Sequence, residues 1–370
     1  MARCRLPPKI GKKEIYQFCY EGQHATTGAV GVRRANMGSR VAFLHSSNCY
    51  DGSSLRAKAI GGAASSTIEL AEALAARGHR VFGLTGIAAP SEINGVSWRP
   101  IHSGDPIEVD LAVANHNASD LLHVRARKRV IWSRFKFNLD KFLRRGGALA
   151  AFRFSPAVVL QGTYHAASVS RFIPYSRRII IPHGIAMVFQ TTPPADNPPP
   201  PKAVFASQAY RGLDRLVRLW VNTIRPRLPN AELHVFSSDW NPCSDIDVDN
   251  LESEGVILRG LVSRQQLAEE YRSARVMLYH GHRDEAFCNA AAEAVAMGVP
   301  IVTECIACMG ERVAHDKTGL IAPTDQEFAD AAVGLLSDDV LWRRLHQGAL
   351  ATRGDYTWDK AAAQWEAAFL

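Results

Sequence analysis

At 370 residues, 47% hydrophobic and 21% charged, the chain is long enough for two buried cores and too apolar for wholesale disorder, which excludes a peptide hormone or a disulfide miniprotein. The net charge of +7 is unevenly placed, since residues 1–192 hold 26 Lys and Arg against 11 Asp and Glu while the remainder holds 17 against 25. A basic first half suits a phosphate-bearing surface, whether nucleic acid, anionic lipid or a phosphorylated small molecule, or is simply a solvated basic face.

Residues 1–37 mix Gly, Arg and isolated aromatics without a steady period and read as a tail, or as sequence upstream of the true start. Folding is expected to begin near Met37, because Arg40–His45 has the apolar run of a buried strand. A polar loop then leads to Gly61-Gly62-Ala63 and a helix from Ser65 to Arg77 closed by Gly78, the residue a C-cap favours. With the strand Arg80–Leu84 this makes a βαβ unit. Further strands are expected at 110–114, 129–133, 157–160 and 178–181. Six prolines between Pro193 and Pro201 then supply no ladder donors and stiffen the chain, marking a linker over 191–201. Beyond it the alternation restarts with a strand at 203–206, a helix over about 212–224, a strand at 232–236, a helix at 264–272 and a strand at 275–279. Strands separated by helical patterns imply parallel sheets covered on both faces. The expected organisation is α/β, with two doubly wound Rossmann-like domains, 38–190 and 202–356, facing a cleft and ligands beyond the carboxyl ends of the strands.

Seven scattered cysteines suit a reducing, cytoplasmic setting. Cys305 and Cys308 form one CxxC, but no second pair accompanies it, so no metal site is expected. No apolar run approaches the roughly 20 residues of a membrane span, and the N-terminus lacks the apolar core of a signal peptide.

The densest chemical signal lies in 279–303. A strand ends at Tyr279, a loop carries Glu285, a helix starts near Asn289 and holds Glu293 one turn inside, and Gly298-Val-Pro300 stops it. A helix N-terminus offers unbonded N–H groups and the positive end of a dipole, which suits a diphosphate, and two bracketing carboxylates could accept hydrogen bonds from sugar hydroxyls. An Ala-rich core helix with solvated carboxylates would give the same pattern.

Glu285 and Glu293 in an E-x7-E spacing, followed by Ala294-x-Ala296-x-Gly298-x-Pro300-Ile-Val302, resemble the donor-site motif of retaining GT-B glycosyltransferases of family 4, also called group 1. Gly61-Gly62 with the helix through Arg77-Gly-His is similar to the family's first βαβ unit, Ile181-Pro-His-Gly-Ile185 to its pre-linker strand end, and Gly319–Pro323 to the loop closing its donor domain. The likeness covers roughly residues 38–370. It implies that Glu285 contacts the donor sugar and Glu293 the ribose. Phe287, Cys288 and Asn289 would offer backbone amides, and Gly61 and Gly62 would line the donor site from the first domain. Arg211, standing where the family has Lys, would neutralise the diphosphate leaving group. The family's second cation is missing, because Ala206-Ser207 occupies its place; Ser207 is kept as a donor-site residue. Of the family's G-G-x-x-E only Glu311 stays in register. His116, after Asp110–Asn115, resembles the second His of D-x-x-H-x-H and would touch the sugar across the cleft, or merely cap a strand end. In Val130-Ile-Trp-Ser-Arg134, Arg stands where many relatives carry His, with no role assigned. His165 would orient an acceptor or serve as a structural loop residue.

The resemblance thus implies a retaining transferase moving a hexose-type sugar from a nucleoside diphosphate sugar to a glycan or lipid-linked acceptor, in envelope or exopolysaccharide synthesis, with no metal or other cofactor. A nucleotide-sugar epimerase of the same fold and a weakened nucleotide-sugar-binding or glycan-binding subunit are the alternatives. The basic cluster from Arg125 to Arg145 suggests a peripheral stand at an anionic inner membrane face. No nucleic-acid-binding motif is present. A helix over 357–370 is expected to pack back on the first domain.

Overall fold

The computed structural model describes residues 38–370 apart from 58–59, 103, 105, 135–147 and 239. The tail expected over 1–37, and Lys136, Lys141, Arg144 and Arg145 of the basic cluster, lie outside the described residues.

The first sheet holds β1 (Arg40–His45), β2 (Arg80–Thr85), β3 (Ser91–Ile93), β4 (Val96–Pro100), β5 (Ile107–Asn115), β6 (Val124–Trp132), β7 (Ala157–Leu160) and β8 (Arg178–Ile180), in the order β3-β4-β2-β1-β5-β6-β7-β8. The second holds β9 (Lys202–Phe205), β10 (Glu232–Val235), β11 (Val256–Leu258), β12 (Val276–Leu278), β13 (Ile301–Thr303) and β14 (Gly319–Ile321), in the order β11-β10-β9-β12-β13-β14. All strand pairs are parallel except β3 with β4. Parallel strands buried on both faces need continuous apolar runs, and β1, β7, β9 and β12 supply them.

The expected strands 110–114 and 129–133 are longer, at 107–115 and 124–132. The apolar run marked only their buried carboxyl halves, while Glu108, Arg125 and Arg127 hold the exposed remainder. The short β3 and β4 were not anticipated.

The helices that build the site are α1 (Gly62–Ala76), α2 (Thr163–Ser168), α3 (Leu213–Leu219), α4 (Arg264–Arg272), α5 (Asn289–Ala296) and α6 (Trp358–Phe369). Helix α1 starts three residues earlier than expected, with Gly61 as its N-cap, so Gly62 and Ala63 form its first turn. The helix expected over 212–224 is α-helical only to Leu219 and continues as a π-helical segment, Trp220–Ile224.

Ile68, Leu74, Val113, Trp132 and Val159 form a core on one face of the first sheet, and Trp365 and Phe369 of α6 complete it. The last helix is tied down further: Arg77 donates to both carboxylate oxygens of Glu366, at 2.8 and 2.7 Å, and Lys128 Nζ donates to the Phe369 carbonyl at 2.6 Å. The opposite face has its own core around Leu44, Phe82 and Leu121, and the second sheet another around Phe205, Trp220 and Tyr279. In both sheets chain order reverses beside the first strand, between β1 and β5 and between β9 and β12, which is where doubly wound sheets open a crevice.

Candidate functional site

On the second domain, β12 delivers Tyr279 to the crevice edge. A loop follows to Cys288, whose backbone is left-handed (φ 59) just before α5. A non-glycine residue rarely adopts this conformation, so the turn into the helix is imposed by its surroundings. The first i−4 bond of the helix runs from Ala292 to the Cys288 carbonyl, and the amides before it are those a helix start presents outward. Burial, aided by the neighbouring Glu285 and Cys308, pushes the Cys288 thiol up, so it stays protonated and inert.

Glu285 is only 5% exposed. Arg211, on the turn Ala209–Arg211 after β9, donates through Nη1 to Glu285 Oε1, and Tyr279 OH donates to Oε2 at 2.6 Å. Burial first, then the neighbouring Glu285 through its charge and its hydrogen bond, raise the Tyr279 phenol, which therefore remains a donor. Burial opposes the charge on Arg211, and Glu285 together with Tyr210 and Tyr279 more than offsets it, so the guanidinium is held charged. Gly212 follows at φ 102, a conformation that lets the turn enter α3 at once.

Glu293, inside α5, sits where Arg264 of α4 meets Glu69 of α1, the latter pair at 2.8 Å across the cleft. Burial, with Glu69 adding to it against Arg264, pushes the Glu293 carboxyl up to about 7. Phe287 is buried in the joint between domains, its ring 5.2 Å from that of His183 and 5.3 Å from that of Tyr356, so only its backbone can face a ligand. Ser207 is half-buried in the loop after β9.

From the first domain, Gly62 brings the start of α1 against the start of α5: a Cβ there would lie 3.5 Å from Asn289 Nδ2. Gly61 has open space around it. His116 follows β5 in a left-handed conformation, φ 64, half-buried at the crevice edge. The structure therefore gathers Gly62 with Asn289, and Arg211 with Glu285. His165, by contrast, is buried and accepts the Gln161 amide at Nδ1, 3.1 Å, which gives it a structural role. Glu311 caps the start of α2 across the cleft through the Thr163 and Tyr164 amides, at 3.1 and 2.6 Å.

Two residues emerge that the sequence left without a role. Arg134, just beyond β6, donates to the Ala63 carbonyl at 2.7 Å and to Thr67 Oγ1 at 2.9 Å, with its guanidinium 3.7 Å from the Trp132 ring centre. It has no carboxylate partner among the described residues, its Nε is unsatisfied, and burial lowers its pKa to about 9. His183 lies buried between Trp132, Phe287 and Trp358, held well below the usual imidazole range by burial and by Arg134. The available signal was positional: both follow strand ends of the first sheet.

Residues 200–338 match the family model described as glycosyl transferases group 1. The chain is 36% identical over 110 residues to a D-inositol 3-phosphate glycosyltransferase of Xylanimonas cellulosilytica, covering 29% of this chain and 26% of that protein. A namesake from Corynebacterium aurimucosum is 29% identical over 169 residues, covering 43% and 40%. The alignments thus span well under half the length of these curated relatives. Among solved structures, sucrose-phosphate synthase from Thermosynechococcus elongatus superposes with a TM-score of 0.66 at 16% identity, over 90% of this chain and 98% of that one. WaaG, a glycosyltransferase involved in lipopolysaccharide biosynthesis, does so at 0.65 and 14%, over 89% and 99%. The architecture is the GT-B fold, and the chain resembles group 1 glycosyltransferases.

Proposed function

We propose that the protein is a retaining glycosyltransferase that moves a hexose-type sugar from a nucleoside diphosphate sugar to a glycan or lipid-linked acceptor. The observation that carries this is the meeting of Arg211 and Glu285 at the mouth of α5, opposite the first turn of α1 at Gly62. Two helix starts and a guanidinium supply the positive field that a departing diphosphate requires, so no metal ion is needed for that step.

In this reading the diphosphate lies against the first turn of α5, where Phe287, Cys288 and Asn289 present backbone amides and Ser207 adds a hydroxyl. Arg211 turns part of its donor set from Glu285 toward the phosphate oxygens, which accumulate charge as the glycosidic bond breaks. Glu285, kept in place by Tyr279, accepts hydrogen bonds from the sugar hydroxyls; Glu293 accepts from the ribose; His116 reaches the sugar from the first domain. Arg134, bound to the first turn of α1 and unpaired with any described carboxylate, stands in for the cation absent at Ser207 by facing the same anion from the opposite wall. The acceptor then enters over the first domain and attacks from the face the leaving group occupied. Function in envelope or exopolysaccharide synthesis, at an anionic membrane surface, fits the basic first half. Among the described residues no helix is long and apolar enough to cross a membrane.

The test is a panel of nucleoside diphosphate sugars offered to the purified protein, with thermal stabilisation and slow donor hydrolysis as readouts. One donor should stabilise by about 2.7 kcal/mol at 100 times its Kd and release its sugar. Absence of both responses across the panel would refute the reading.

A further inference from the structure

A cavity of mixed polar and apolar lining lies on the first domain, and none of its described lining residues comes from the second. Its volume is about 1090 Å³, and Arg99, His102 and His123 line it. It opens on the sheet face opposite α1. Strand alternation puts Phe82 and Leu84 on that face, and the register places Arg40 beside Arg80 and Arg99 beside Leu84. Three guanidiniums, those of Arg40, Arg80 and Arg99, lie 5.6, 5.4 and 5.4 Å from the centre of the single Phe82 ring.

None of the three has a carboxylate partner among the described residues, and the His102 and His123 rings meet edge to face at 4.9 Å. Like charges gathered on one ring repel one another, and the ring quadrupole returns only about 0.5 to 1 kcal/mol per exposed contact. The one acidic residue among the described lining, Glu92, is exposed. Such a concentration of guanidinium and imidazole donors matches the oxygens of a phosphate ester.

We propose that this cavity is a binding site for a phosphate ester, with Arg99 as its principal cation, His102 and His123 as hydrogen-bond donors, and Arg40 and Arg80 extending the positive field along the sheet. The phosphate belongs either to a soluble ester or to a lipid headgroup. The site is separate from the one proposed for the nucleotide.

The test follows the imidazole signals of His102 and His123 by NMR in the full chain, assigned through His102→Gln and His123→Gln. One arm adds inorganic phosphate; the other adds phosphatidylcholine vesicles with and without phosphatidic acid. Phosphate should shift both signals saturably, with affinity about tenfold weaker in Arg99→Gln and unchanged in Arg211→Gln. Tighter binding to phosphatidic acid vesicles than to phosphate assigns the lipid source, and equal or weaker binding the soluble one. Should Arg99→Gln fail to fold, Arg80→Gln, at an exposed strand start, should still weaken binding several-fold. The proposal is overturned if neither probe moves these signals, if the folded arginine variants bind like wild type, or if Arg211→Gln abolishes the shifts. Neither probe carries a nucleotide or sugar, so the donor-site reading can fail without touching this result.

Discussion

Glu311 and Thr163 join the two domains: one carboxylate of the second domain accepts the Thr163 amide at 3.1 Å and its hydroxyl at 3.0 Å at the start of α2 in the first. Together with Arg264 and Glu69, and with the Tyr164 hydroxyl donating to the Arg283 carbonyl at 2.9 Å, this contact closes the cleft. Only the Arg264–Glu69 contact is an ion pair, and its Glu69 side is largely buried; net contributions of about 0.5 to 1.5 kcal/mol per hydrogen bond favour the closed form only modestly.

Removing both latches should therefore open the molecule without unfolding it. The double variant Glu311→Gln with Glu69→Gln is expected to show a larger radius of gyration by small-angle scattering, with a melting transition close to wild type, and saturating donor should reverse the expansion. An unchanged radius in the double variant would mean that the aromatic joint at His183 and Phe287 sets closure alone.

Glu285→Gln keeps the shape and removes the charge. A hydrogen bond to a charged group contributes about 1.5 to 3 kcal/mol, so kcat should fall roughly 10- to 150-fold with little change in donor KM, because the sugar contact matters at the reacting end. Steady-state kinetics with the donor identified by the panel will show it. A rise in KM at constant kcat would place Glu285 away from the bond that breaks.

Glu293 gives a pH signature. Its carboxyl rises from the usual 4.5 to about 7 on folding, chiefly through burial. A raised acid contributes stability that is fully present below about 4.5 and lost as pH climbs through about 7. The stability of wild type relative to Glu293→Gln should therefore fall between pH 5 and 8, by about 2 kcal/mol once partial solvent screening is allowed for. Thermal melts of both proteins across that window provide the comparison, and parallel curves would contradict it. In the same variant donor KM should rise more than kcat falls, since the ribose is remote from the reacting bond.

Arg134→Met separates stability from activity. Removing a buried, unpaired guanidinium relieves its desolvation while freeing the Ala63 carbonyl and Thr67 hydroxyl, so the net stability change should stay within about 1 kcal/mol. Donor affinity should drop about tenfold or more if the guanidinium faces the anion. Calorimetric titration with the donor, alongside a melt, distinguishes the two effects. A destabilised protein with unaltered affinity would make Arg134 a purely structural strut for α1.

Strand cores and the α5 signature were legible because both follow from local pattern: continuous apolar runs for β1, β7 and β12, and a loop, helix and Gly-x-Pro stop for 279–303. What escaped was set by distant partners. The charged amino halves of β5 and β6 pair only because neighbouring strands lie alongside, and the Trp220–Ile224 segment widens within a helix whose sequence pattern runs on. Arg211 and Glu285 were each singled out, yet their mutual bond depends on β9 and β12 being adjacent in the sheet. Glu311 was noted for its register in a motif; its bond to α2 belongs to the packing of two domains, which no local spacing encodes.

Helix α6 follows the second domain in sequence and lies in the core of the first. The polypeptide therefore passes between the two sheets twice, once through the prolines before Lys202 and again just before Trp358. A chimaera that grafts a different second domain onto this first domain needs two breakpoints, one at each passage. A single junction would leave α6 from a foreign sequence beside Trp132, which Trp365 now meets edge to face with ring centres 5.4 Å apart.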